Sequence, residues 1–201
     1  MSITSFSTLK TEAQNWIDRT DIADRVDTFI QLGEARIYRE LRIRAMETAL
    51  SDTIASGVIS LPSDYRALKH AYVSGSPTKP LEQQSAEIIH NKYPTRSGTS
   101  KPKYIAQDGG NFIFGPYPDS AYTIKGTYYA ALEALSLSNE TNWFTANAPD
   151  LLLYATLTEA AGFEMNDETQ AKWSTLYERS KNMIQKEDNR QLRGSTRSVS
   201  A

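Results

Sequence analysis

Apolar residues recur along this chain with two periods, and the switch between them divides it into three stretches. Near the N-terminus Phe6, Leu9, Ala13, Trp16 and Ile17 fall at helical spacing behind Thr4 and Ser5, whose hydroxyls can accept hydrogen bonds from the free amides of a first turn. The spacing predicts a helix over residues 5–18. Thr20 or Asp21 can cap a second helix, in which Ile22, Val26, Phe29, Ile30, Gly33, Ile37 and Leu41 form one stripe roughly 100° wide. The two helices are expected to pair antiparallel.

From Glu47 the period shortens to two. Thr48, Leu50, Asp52 and Ile54 alternate, Ser56-Gly57 supplies a turn, and Val58 to Leu61 follow before Pro62, a pattern that predicts a β-hairpin. The run Ala67 to Val73, bounded by Pro62 and by Gly75-Ser76-Pro77, reads as a further strand. Residues 76–102 carry Pro77, Pro80, Pro94 and Pro102 with the polar stretch Ser97 to Ser100. They are expected to protrude, with Ala86 to Tyr93 as two helical turns. Tyr104 to Ala106, Asp108-Gly109-Gly110 and Phe112 to Phe114 give the strongest hairpin signal, because glycine tolerates positive φ. Tyr122, Ile124, Gly126 and Tyr128 continue at period two as another strand.

The last third returns to the helical period. Pro149 suits a first turn, where its missing N–H costs nothing, and Leu151 to Tyr154, Leu157 and Ala160-Ala161 make a helix apolar nearly all round, hence central. Gly162 can end it. Asp167-x-x-Gln170 resembles a capping box for a final helix whose inner face is Trp173, Leu176, Tyr177, Met183 and Ile184. Helices, then strands, then helices give a segregated α+β fold, not the alternation of a doubly wound sheet. The expected architecture is mainly an α-helical bundle formed by the N- and C-terminal helices, residues 1–46 and 146–192. A β-hairpin-rich insertion occupies 47–145, and a flexible C-terminal tail occupies 193–201, with nothing to bury.

Composition narrows the function. A net charge of −2 over 201 residues provides no global positive field for nucleic acid or anionic membranes, and no run of about 18 apolar residues suggests a membrane span. Without cysteine there is no disulfide, thiolate nucleophile or cysteine-ligated metal. The N-terminus lacks the basic and apolar regions of a secretion signal, so synthesis in a cytoplasm is expected. Eleven tyrosines suit a protein that makes wide, partly wet contacts.

Catalytic chemistry finds little to work with. The two histidines, His70 and His90, lie in ordinary elements and read as structural or solvent-facing, and neither a phosphate-binding glycine loop nor a dinucleotide turn occurs. Glu82, Glu87, Asp108 and Asp119 leave a wall hydrolase open by residue type alone, although scattered acids are usually solvated surface. Arg36, Arg39, Arg42 and Arg44 could meet phosphates, as in a helix-turn-helix protein. The simpler reading is helix-internal pairing of Arg36 with Glu40 and of Glu40 with Arg44, together with cations favoured at a helix C-terminus. No catalytic residue, metal or cofactor is expected, and the chain reads as no enzyme. Trp143-Phe144, a bulky pair in a polar loop, either anchors a neighbouring subunit or covers the end of the bundle. The tail, with Arg190, Arg193 and Arg197, can become ordered on an acidic partner surface.

Three stretches together resemble the head-to-tail adaptor (neck or connector) family of tailed bacteriophages. They are Trp16 to Asp21 running into Phe29–Ile37 and Arg39–Glu47; Ile113-Phe114-Gly115-Pro116-Tyr117-Pro118-Asp119 leading to Thr127-Tyr128-Tyr129; and Ala148-Pro149-Asp150 through Ala155, followed by Trp173 and Tyr177. The resemblance implies a structural subunit of the virion neck, assembled as a twelve-subunit ring under the portal protein. The other face of the ring would receive the tail or nozzle protein, and double-stranded DNA would pass through the lumen without sequence recognition. It also makes the C-terminal arm, with Arg190, Arg193 and Arg197, the portal-binding element. Alternatives that stay open are a tail-completion factor or other virion structural protein, a cell-wall hydrolase and a DNA-binding protein.

Overall fold

The computed structural model describes residues 2–95, 97 and 100–196, with side chains placed as far as Gln191. The fold is α+β, and the chain divides into two compact units, residues 1–45 with 132–201, and residues 46–131.

The first unit is helical. Its helices are α1 (Phe6–Ile17), α2 (Val26–Glu40), then, after the second unit, α4 (Trp143–Asn147), α5 (Pro149–Phe163) and α6 (Asp167–Thr196), with α3 lying in the intervening unit. Ser5 caps α1 reciprocally with Thr8, and Phe6, Leu9 and Ala13 form its buried stripe. Neither Thr20 nor Asp21 caps α2. Asp21 is held by Arg19, a 3₁₀ turn at Ala23–Arg25 intervenes, and α2 begins without a side-chain cap.

As the apolar pattern demands, α5 is the centre of this unit. Leu151, Leu152, Ala155, Leu157, Ala160 and Ala161 are buried, and α1, α2, α4 and α6 all pack against it. Gly33 permits the approach of α2, since a Cβ there would lie 3.1 Å from the Cβ of Ala155. The end of α5 differs from expectation. Gly162 stays inside the last turn, and the left-handed residue is Met165 with φ of 54°. Asn166, not Asp167, caps α6, its side chain accepting from the Thr169 N–H at 3.1 Å. Residues 193–196, expected in a flexible tail, continue α6, because the good helix formers from Arg190 to Arg193 propagate it across Gly194.

The segment 132–142 also belongs to the helical unit and is held by two carboxylates. Glu140 accepts from the backbone and hydroxyl of Ser7 at the start of α1. Glu34, buried on α2, accepts from the Leu135 N–H at 3.1 Å, the Asn142 side chain at 3.1 Å and the Tyr38 hydroxyl at 3.3 Å. Burial raises the Glu34 pKa above the ordinary carboxylate range, and these three donors only partly oppose the rise.

The second unit contains β1 (Glu47–Thr53), β2 (Val58–Ser60), β3 (Tyr65–Val73), β4 (Lys79–Gln83), α3 (Ala86–Lys92), β5 (Tyr104–Asp108), β6 (Asn111–Gly115) and β7 (Thr123–Ala130). The seven strands run in the order β1-β7-β3-β4-β5-β6-β2. The expected β5–β6 hairpin is present, with Gly109 at φ of 56° in its turn. The expected first hairpin is not. β1 pairs with β7 and β2 with β6, at opposite edges of the sheet, and only a bridge between Ala55 and Val58 survives around the Ser56-Gly57 turn. Because that short turn joins the two outermost strands, the sheet must curl until its edges approach. Leu50, Ile54, Ile59, Val73, Leu81, Phe112, Phe114 and Ile124 fill the interior so formed.

The segment 76–102, expected to protrude, contributes an interior strand. β4 pairs with β3 through residues 79–81 and with β5 through residues 82–83, so Pro80 has a strand on one side alone and its missing N–H interrupts no ladder. α3 forms over the predicted turns and buries Ile89 against Ala106 and Ile113.

Candidate functional site

Three segments of the helical unit converge on the C-terminal half of α6. The first contact is at Asp150, in the opening turn of α5, which accepts from the Ser180 hydroxyl at 2.6 Å. Beyond Ser180 the helix outruns α5 and continues to Thr196, a length of roughly 24 Å at about 1.5 Å per residue. The second contact is Arg44, which pairs with Asp188 through Nε at 3.1 Å and also hydrogen-bonds Gln191. The third is α4, which presents Trp143 and Asn147.

Between these elements lies an open groove of about 940 Å³, lined by the apolar side chains of Trp143, Met183 and Ile184 and by charged ones that include Lys186, Glu187 and Arg190. Met183 is 61% exposed. A lining that mixes large apolar and charged side chains is of the kind found at protein interfaces.

The root of the projecting helix is anchored by a polar network at Tyr177. That side chain is fully buried and donates its hydroxyl to Glu40 at 3.0 Å, while the Arg36 guanidinium lies 4.5 Å over its ring. Lys181 reaches the same carboxylate at 2.6 Å and Arg36 at 3.2 Å. Burial works against the Glu40 carboxylate, but its donors outweigh burial and hold its pKa below the ordinary range. Tyr177, desolvated and facing an anion, is driven far above its usual value.

The candidate residues read from the sequence distribute unevenly over this geometry. Arg190 lines the groove with its side chain 81% exposed, 4.0 Å from Glu187. The backbone of Arg193 is helical, and Arg197 lies outside the described residues. Trp143 lines the groove, but Phe144 is fully buried in contact with Tyr38 and Trp143 and leaves no surface for a neighbour. Of the arginine cluster, Arg36 pairs with Glu40 as expected. Arg44 does not, because Asp188 on α6 takes it, and Arg42 bonds the carbonyls of Tyr38 and Leu41 at the end of α2. Met183, Tyr177, Lys181 and Asp188 escaped notice as site residues, since only the fold brings them together with Trp143 and Arg44.

Of the carboxylates singled out in the sequence, Glu82 accepts from the Gln84 side chain and Asp119 from the Tyr122 hydroxyl. His90 meets Asp108 at 3.3 Å on an exposed surface, and His70 stacks on Tyr72. Among the described residues, no group of three or more potential ligands is placed to hold a metal, and no helix is long and apolar enough to cross a membrane.

A helical unit that carries an open groove of mixed apolar and charged lining suits a protein that makes contacts. A family model described as SU10 adaptor protein matches residues 4–199, spanning both units. The chain belongs to this family. It is therefore a phage adaptor protein and a structural component of the virion, and the family indicates a role other than catalysis. No curated protein matches the chain.

Proposed function

We propose that this adaptor sits in the neck of a tailed phage, where copies form a ring under the portal, join the capsid to the tail or nozzle and let DNA pass through the lumen. The match to the adaptor family over residues 4–199 carries the reading. On this reading the N- and C-terminal helices act as one bundle built around α5, and α6 beyond Ser180 is the arm that meets the portal, with Arg190 and Arg193 near its end. Ion pairs at such a surface are weak singly, so a ring that repeats them gains by avidity. A net charge of −2 suits a lumen that does not grip DNA, since cations summed over many copies would retard its passage.

Negative-stain microscopy of the chain mixed with the portal encoded nearest to it tests the proposal. The intact chain is expected to add a collar of density to the portal, and a chain lacking residues 190–201 to stay folded and lose the collar. Portals left unchanged by the intact chain would refute the neck assignment, and a truncated chain that still forms the collar would refute the role of the arm.

A further inference from the structure

The α5–α6 turn carries the counterpart of the groove. Phe163 is 52% and Met165 91% exposed, on a turn fixed by the left-handed Met165 and the Asn166 cap; the Phe163 ring meets Phe29 at 5.5 Å and the Arg25 guanidinium at 6.0 Å, and about half of it stays open. Two large apolar side chains exposed together on one turn make a small patch that a partner can cover. The turn lies at the C-terminal end of α5 and the groove begins at its N-terminal end, so the length of α5, roughly 22 Å, separates them and one copy cannot seat its own patch in its own groove.

The charges are complementary as well. Asp167 and Glu168, beside the patch, are exposed and make no ion pair among the described residues, while Glu164 is held by Arg19. In the groove, Lys186 is exposed and equally unpaired among the described residues, and Arg190 has only a distant contact with Glu187. Of the acids that line the groove, Asp188 is engaged by Arg44, Asp150 by Ser180 and Glu187 by the Gln191 side chain at 3.2 Å, with Arg190 4.0 Å away.

We propose that the groove on α6 seats the α5–α6 turn of a neighbouring copy, with Phe163 and Met165 against Trp143, Met183 and Ile184 and with Asp167 and Glu168 facing Lys186, while Arg190 stays with the portal contact proposed above. Two different surfaces of the same chain meet, which is the heterologous contact that a ring requires, and the inference rests on the ring proposed above. Two apolar anchors and a few charges make a weak contact, so it forms where the portal gathers the copies.

The absence of cysteine allows a direct test by cross-linking. The double variant Met165→Cys with Met183→Cys, bound to portals and mildly oxidised, is expected to give a ladder of covalent dimers, trimers and higher species. Either single variant is expected to remain monomeric, and an equimolar mixture of the two single variants to stop at dimers. The pair Phe163→Cys with Ile184→Cys repeats the test one step along the contact. A normal collar by microscopy with no ladder from either pair would overturn the inference alone, and single variants that dimerise as readily as the mixture would replace it with a two-fold contact. Absence of any collar from the wild-type chain would remove the ring itself and this inference with it. Lys186→Glu is expected to weaken collar formation roughly two- to fivefold, as surface ion pairs allow, and Glu168→Lys in the same chain to restore it.

Discussion

Replacing Tyr177 by Phe removes a single hydroxyl from the network at the root of α6. The ring keeps its burial and its contact with the Arg36 guanidinium at 4.5 Å, so the hydrogen bond to Glu40 at 3.0 Å is what changes. Hydrogen bonds to charged groups contribute about 1.5–3 kcal/mol. Glu40 retains Lys181 and Arg36 as donors, which places the loss near the lower bound, about 1.5 kcal/mol. Tyr177→Ala would instead empty a fully buried site and cost about 3–5 kcal/mol. The assay is favourable, because Trp16, Trp143 and Trp173 are the chain's three tryptophans and all belong to the helical unit, so tryptophan fluorescence in urea follows that unit. With a slope of about 2 kcal/mol/M, the midpoint of Tyr177→Phe should fall by roughly 0.7 M. In a Glu40→Gln background the same substitution should cost distinctly less, since the charged acceptor has gone. An unchanged midpoint, or an equal loss in both backgrounds, would refute the account of how the arm is anchored.

Two further outcomes are expected. Gly126→Ala in β7 would place a Cβ 2.2 Å from the carbonyl oxygen of His70, so the sheet should lose about 3 kcal/mol or fail to form, read by far-UV circular dichroism of the full chain. Glu34 binds its proton more readily in the folded chain than in the unfolded one, so its contribution to stability should rise as pH falls through its elevated folded value and level off below the ordinary glutamate range. The stability difference between wild type and Glu34→Gln, measured in urea at a series of pH values, should show that slope, and a flat or opposite profile would contradict the burial described for this side chain.

Local chemistry was legible wherever neighbours in sequence decide the outcome. The Asp108-Gly109-Gly110 turn, the proline at the head of α5 and the all-round apolarity of that helix each act within a few residues, and each appears as expected. Ser56-Gly57 also turns, both residues adopting positive φ, but alternation in the flanking strands says nothing about partners, which are chosen by β7 and β6 far along the chain. The prolines helped mark 76–102 as a protruding excursion, and that reading fails at β4, where Pro80 has a strand neighbour on one side alone. α4 was hidden because its cap is Asn142 with Thr145 and lacks the acidic third position that usually marks such a start. The groove was legible only at Trp143 and Arg190, since residues 43–45, 143–150 and 180–191 carry no shared pattern before folding joins them.

The pairing of Glu47 with Tyr129 brings the first and last strands of the β unit side by side. Paired Cα atoms in such a ladder lie only about 4.5–5.5 Å apart, hardly more than one peptide step. The β unit thus begins and ends at one place, with residues 46 and 131 beyond the same end of one strand pair. An insertion whose own ends meet needs only two neighbouring chain connections, which makes Met46 to Ala131 a cassette in the covalent sense.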